Sequence, residues 1–188
     1  MHIGILAVQG AFIEHKYMLD KLGVSSFFIR QKKDLNQKID GLILPGGEST
    51  AMHRLLVDLD MLNDLKMMIE KGLPVFGTCA GMILLAKKIE NQDLVHLGVM
   101  DIIVKRNAYG RQLGSFMTVD DFNQHQIPMT FIRAPYVSGV GHRVKVLSIV
   151  SDKVVAVREG SMLATAFHPE LTDSTYIHEY FLNMINEA

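Results

Sequence analysis

Cysteine occurs only once in this chain of 188 residues. One thiol cannot close an internal disulfide, so a reducing, cytoplasmic setting is expected. Net charge is almost absent too: 19 Lys and Arg against 20 Asp and Glu leave −1. Such a balance lacks the basic footprint of a nucleic-acid binder, and no nucleic-acid partner is expected. No apolar run is long enough for a membrane span, which takes about 20 residues, and no membrane partner is expected. The opening Met1-His2-Ile3-Gly4-Ile5-Leu6-Ala7-Val8 is apolar but has no basic flank, and reads as a buried strand. Low-complexity tracts, linkers and repeats are missing as well. The length then suits one domain, 1–188, with a sizeable core. Among the histidines, His2, His96, His125 and His142 show no metal-ligand spacing. With no second thiol, neither a metal site nor a cofactor is expected. His15, His53 and His178 fall on helix-like stretches and read as packing residues.

What the chain does have is a distinctive setting for its cysteine. Cys79 sits in Phe76-Gly77-Thr78-Cys79-Ala80-Gly81. An apolar stretch, Leu73-Pro74-Val75-Phe76, leads in, and a helix-like stretch over 82–88 leads out. Gly-x-Cys-x-Gly between strand and helix is a nucleophile elbow with sulfur in place of oxygen. The chain must reverse within a few residues, and flanking side chains would collide with strand and helix. The amides that open the following helix face the sulfur, a setting that suits a thiolate or an oxyanion. The commoner fate of an isolated cysteine is a place in the core. The flanking glycines favour the nucleophile.

Periodicity places this elbow in an α/β chain. The first half alternates short apolar runs at 3–8, 26–29, 41–44 and 75–76 with amphipathic stretches at 11–22, 50–59 and 63–71. Strands alternating with helices imply parallel crossovers in an open, doubly wound, mostly parallel sheet of flavodoxin-like type, with helices on both faces. After about residue 94 the rhythm changes. Apolar runs at 97–104, 115–119, 129–132, 144–150, 154–158 and 163–167 read as strands joined by tight turns, such as 151–153 and 159–161. This half is expected to add antiparallel strands, and a helix over 176–186 closes the chain.

In open α/β sheets, sites gather at the carboxyl ends of strands. Three groups fall there: Cys79, Pro45-Gly46-Gly47-Glu48-Ser49, and Phe167-His168-Pro169-Glu170. A thiol needs a base, and histidine titrates in the right range. Glu170, two positions beyond His168, is spaced to hold the second imidazole nitrogen and steady the imidazolium. Read alone, the tripeptide is more often a solvated surface turn. The two glycines let backbone amides approach a ligand, as in an oxyanion hole. Read alone, they are a structural or phosphate-binding turn, though without the Gly-Lys-Ser/Thr ending of a Walker loop.

Taken together these residues resemble the class I (triad) glutamine amidotransferases, and within them the glutaminase-subunit branch of pyridoxal 5′-phosphate synthase. The similar blocks span nearly the whole chain in family order. They are Ala7-Val8-Gln9-Gly10-Ala11, Leu42-Ile43-Leu44-Pro45-Gly46-Gly47-Glu48-Ser49-Thr50, the Cys79 elbow, Arg106-Asn107-Ala108-Tyr109-Gly110-Arg111-Gln112, Phe131-Ile132-Arg133-Ala134-Pro135 and Phe167-His168-Pro169-Glu170-Leu171-Thr172. Tyr109 stands where the family often has Phe, and 120–128 has no familiar pattern. The resemblance implies hydrolysis of L-glutamine to glutamate and ammonia, with delivery to a separate synthase subunit in a hetero-oligomeric complex. It implies Cys79 as nucleophile, His168 as acid/base and Glu170 as its orienting partner. Gly46, Gly47, Glu48, Arg106, Ile132 and Arg133 would hold glutamine and the oxyanion. Arg106, Arg133 or the backbone beside Arg133 would meet the glutamine α-carboxylate. For both arginines the plainer reading is a surface ion pair. The resemblance also implies weak activity until the synthase docks. The rival readings are a glutaminase feeding an imidazole or purine precursor, a cysteine hydrolase or chaperone of the same fold, and an inactive binding module.

Overall fold

A computed structural model of the chain describes residues 1–106 and 114–187. The first half follows the expected alternation: β1 (His2–Leu6), α1 (Phe12–Lys21), β2 (Ser25–Ile29), β3 (Gly41–Leu44), α2 (Ser49–Asp58), α3 (Leu62–Glu70), β4 (Val75–Thr78) and α4 (Ala80–Leu85). The second half runs β5 (Ala86–Ile89), β6 (Met100–Lys105), β7 (Ser115–Phe122), β8 (His125–Ile132), β9 (Tyr136–Val140), β10 (Lys145–Val150), β11 (Lys153–Glu159), β12 (Met162–Thr165) and α5 (Tyr176–Glu187).

Among the described residues ten strands share one sheet, in the order β2-β1-β3-β4-β12-β11-β9-β6-β5, with β10 also paired to β11. The run from β2 to β12 is parallel throughout. Beyond it the sheet continues through antiparallel β11, β9 and β6, and β5 pairs parallel to β6 at the far edge. Thus the antiparallel additions lie in the second half, as the change of rhythm implies.

Helices cover both faces. Phe76 of β4 packs its ring against His15 of α1 and against His178 and Phe181 of α5. The next residue, Gly77, lies against Gly81 and Leu85 of α4. Successive strand residues point to opposite sides. So α1 and α5 lie on one face and α4 on the other, with α2 packed on α4. One core cluster runs from Ile3 to Met184 and joins both halves. No described helix is long and apolar enough to cross a membrane.

Three local readings change. The helix expected over 82–88 stops at Leu85, where Ala86 turns to extended backbone, and Lys87 and Lys88 stand exposed on edge strand β5. Lysines on a sheet edge block further strand pairing. Strand β9 has no counterpart in the expectations, because Ser138 and Gly139 dilute its apolar alternation. Gly139 gives room to Ile103 of the neighbouring strand. The unfamiliar stretch 120–128 is the tip of a hairpin formed by β7 and β8. Asn123 and Gln124 both take positive φ, 49° and 71°, as a two-residue mirror-image turn requires. No glycine marks that turn, so its hairpin signal is weak.

Candidate active site

Parallel pairing decides where the site forms. Gly77 of β4 aligns with Leu44 of β3, and Thr78 aligns with Thr165 of β12. The segments that leave these three adjacent strands therefore emerge at one edge of the sheet. They are Pro45-Gly46-Gly47, Cys79, and Ala166-Phe167-His168.

Cys79 occupies the elbow with φ 48° and ψ −99°. Such a conformation costs about 1–3 kcal/mol for a residue with a side chain, and the surroundings must enforce it. Its amide donates to the Thr165 carbonyl at 2.8 Å, and its carbonyl accepts from the Ile83 amide at 3.2 Å. A Cβ on Gly81 would run into the Leu44 carbonyl, so only glycine lets α4 leave β4 this tightly. The thiol is free and nearly buried. The Ile132 carbonyl lies 4.0 Å from Sγ, brought there by hairpin strand β8.

His168 opens the short 3₁₀ turn Pro169–Leu171. Its amide donates to Thr130 of β8 at 2.8 Å, which ties the hairpin to the site. Its Nδ1 lies 2.7 Å from Glu170 Oε1. Burial disfavours the imidazolium, but the hydrogen bonds and charges of Cys79 and Glu170 outweigh it and push the His168 pKa up to about 10. For Glu170 the balance is opposite. Burial raises its carboxyl above the ordinary range against the pull of His168. Glu170 thus favours the charged form of His168 while its own charged form is disfavoured by burial. The alternative of a solvated surface turn does not fit, since both side chains are buried.

A cavity of about 590 Å³ lies in front of them. Cys79, His168, Gly46, Gly47, Glu48, Arg106, Ile132 and Arg133 all line it. Glu170 does not; it stands behind His168. Gly46 has a specific reason to be glycine: a Cβ there would overlap the His168 ring. Its carbonyl accepts from the Ala11 amide at 2.9 Å. Glu48 caps α2, accepting from the amides of Thr50 at 3.1 Å and Ala51 at 2.6 Å. Arg106 Nη2 reaches Glu48 Oε1 at 3.1 Å, so this arginine forms an ion pair and lines the cavity as well. Burial works to raise the Glu48 pKa, yet the Ala51 and Thr50 bonds and the Arg106 charge hold it low. Arg133 has φ 43° and donates its amide to Gly114. Residues 107–112 of the Arg106–Gln112 block lie outside the described residues.

Sequence reasoning gave no role to several groups that the fold brings here. Gln9 lines the cavity, and its side-chain oxygen accepts from the Glu48 amide at 2.9 Å. Its signal was its place in the first similar block. His15, His178 and Thr78 lie buried behind Glu170. Histidine on an apolar helix face carries no signal that separates packing from function.

Known proteins share this arrangement of the chain. The SNO glutamine amidotransferase family matches residues 5–187. A pyridoxal 5′-phosphate synthase subunit PdxT from Haemophilus influenzae (strain PittGG) is 55% identical, covering 100% of both chains. The protein of the same name from Streptococcus pneumoniae serotype 2 (strain D39 / NCTC 7466) is 56% identical over 100% of this chain and 99% of its own. A crystal structure described as a glutamine amidotransferase superposes with a TM-score of 0.93 at 41% identity, covering 98% of each chain. A putative GMP synthase protein from Thermoplasma acidophilum shares the fold at a TM-score of 0.68 and 19% identity, over 99% of this chain and 92% of its own.

Proposed function

This chain belongs to the SNO glutamine amidotransferase family, and we propose that Cys79, His168 and Glu170 are the triad with which it takes ammonia from glutamine. It is a glutaminase of pyridoxal 5′-phosphate synthesis, in line with its full-length relatives. The observation that carries the triad is His168, bonded to Glu170 at 2.7 Å and lining one cavity with Cys79. Cys79 sulfur, as thiolate, attacks the side-chain amide carbon of glutamine. The carbonyl π electrons move to oxygen, where backbone amides of the Gly46-Gly47 loop and of Ala80 receive the oxyanion. The oxyanion collapses, the C–N bond breaks, and His168 gives its proton to the departing ammonia. Water then attacks the thioester and passes a proton to His168. The C–S bond breaks, glutamate leaves, and the thiolate–imidazolium pair returns. Glu170 keeps the imidazole in the required tautomer throughout. Arg106, Glu48, Arg133 and the Ile132 backbone line the wall where the α-amino and α-carboxylate groups of glutamine would sit.

The acceptor is proposed to be a separate synthase subunit, joined in a cytoplasmic hetero-oligomer. The relatives' names as synthase subunits support this, and a free single thiol suits a reducing compartment. No nucleic acid or membrane enters the reading. An imidazole or purine precursor as acceptor has no comparable support, since the GMP synthase likeness concerns the fold alone. In the isolated chain the Gly46 carbonyl is tied to Ala11. A partner that favours another orientation of that peptide shifts the population by its differential affinity. The test is ammonia release from glutamine, with and without the pyridoxal 5′-phosphate synthase subunit. Low kcat alone and a clear rise on addition are expected, with loss of both in Cys79→Ala. Ammonia release by Cys79→Ala would refute the triad, and equal kcat with and without the synthase subunit would refute partner gating.

A further inference from the structure

A buried string of polar groups extends behind the triad and leads through α1 to α5. Glu170 uses Oε1 for His168 at 2.7 Å. Its other oxygen, Oε2, is buried and makes no hydrogen bond of ordinary length among the described residues. His15 Nε2 faces that oxygen at 3.6 Å, and both side chains are fully buried. His15 Nε2 also lies 3.2 Å from Oγ1 of Thr78, the last residue of the strand before Cys79. On its other side His15 Nδ1 is 2.9 Å from His178 Nε2. His178 Nδ1 has no partner among the described residues.

The proton positions follow from this arrangement. His15 stays neutral, because burial first, and then the neighbouring His178 and His168 rings, oppose protonation. A neutral imidazole has one N–H. If that hydrogen sat on Nδ1, it would donate to His178 Nε2. His178 would then bury an unpaired N–H at Nδ1, and His15 would turn a lone pair toward the Glu170 carboxylate. If the hydrogen sits on Nε2, it points at Thr78 Oγ1 and the Glu170 carboxylate together. His178 Nε2–H then donates to His15 Nδ1, and only a lone pair of His178 is left bare. The second arrangement avoids both penalties.

We infer that His15 is a positioning residue of the glutaminase reaction: its Nε2–H faces Glu170 Oε2 and fixes the carboxylate that orients His168. This rests on the reading of Cys79, His168 and Glu170 as the triad. His15 touches neither substrate nor sulfur. It acts through Glu170, as Glu170 acts through His168. The competing account is packing alone, since the His15 ring also meets Phe76 edge-on.

Two polar substitutions separate the accounts. In His15→Gln the amide nitrogen reaches the former Nε2 position and can still donate toward Glu170. In His15→Asn it reaches only the Nδ1 side and keeps the His178 contact. Ammonia release is measured with the full chain in complex with its synthase subunit. His15→Asn is expected to lower kcat about tenfold, within the range of coupling between residues in contact, with KM within about twofold. His15→Gln should recover most of that loss. In a Glu170→Gln background the His15→Asn change should cost less than about twofold, because the two act as one unit. Equal impairment of the Asn and Gln variants overturns the inference. So does wild-type kcat in both, or the same fold-loss in both backgrounds. Wild-type protein without Cys79-dependent ammonia release would instead refute the triad reading on which it rests.

Discussion

Replacing His178 by phenylalanine should flatten the acid limb of the stability curve. His178 is fully buried on α5, and burial drives its pKa down to about 3. In the unfolded chain its pKa returns to about 6.5. Between those values the unfolded state binds a proton that the folded state refuses, so stability falls as pH falls through this window. Each pH unit there is worth about 1.4 kcal/mol, so lowering pH from 7 to 4.5 costs roughly 2.5 kcal/mol from this one group. His15 works in the same direction, as does His96, whose pKa burial lowers to about 4. Glu170, with its carboxyl raised, works in the opposite direction. The His96 and Glu170 contributions are common to both proteins and cancel in the comparison, and His15 stays buried in the variant although it loses its His178 contact. The raised pKa of His168 acts elsewhere: its stabilisation is complete below about 6.5 and is lost as pH rises toward 10. His178→Phe keeps an aromatic ring against Phe76 but removes the titration. Urea unfolding at half-unit steps from pH 4.5 to 7 measures the slope directly. The variant should lose up to about 1.4 kcal/mol per pH unit of the wild-type slope near pH 5. Parallel curves for the two proteins would refute the claim that His178 is held neutral by burial.

Two further outcomes test the site. His168→Asn should lower glutaminase kcat by at least several hundredfold, within the roughly 10² to 10⁴ that positioned proton transfer supplies. Glu170→Gln should be slower than wild type but milder; steady-state rates for the pair decide it, and a wild-type rate for Glu170→Gln would make that residue structural only. Gly46→Ala should push His168 away from Cys79, since its new methyl would occupy the imidazole's place. Loss of ammonia release together with stability lower by roughly 1–3 kcal/mol in urea is expected, and an alanine variant with both unchanged would contradict the close approach.

Much of the site is local in sequence, and that part was legible. Gly-x-Cys-x-Gly prescribes a tight elbow because Gly77 and Gly81, two positions before and after Cys79, have no room for a Cβ. His168 and Glu170 meet through a two-residue spacing and a short 3₁₀ turn. Strand–helix alternation in the first half dictates parallel crossovers, and these place the loops after β3, β4 and β12 together. Where the signal weakens, the reason is physical. Edge strand β5 exposes two lysines and reads as the end of a helix. Strand β9 contains Ser138 and Gly139, and the β7–β8 hairpin turns at Asn123-Gln124 without glycine.

Only the tertiary structure could decide what stands behind the proposed triad. His15 and His178 are 163 residues apart, yet their rings meet at 2.9 Å. No periodicity records such a contact, because each histidine simply occupies a buried position of its own helix. The chain's composition and motifs determined the fold class and singled out Cys79 and His168 as the proposed nucleophile and base. The packing of α1 and α5 on one face of the sheet determined which buried groups face the second oxygen of Glu170. It does so because burial excludes water, leaving that carboxylate to find its partners among side chains from distant parts of the chain.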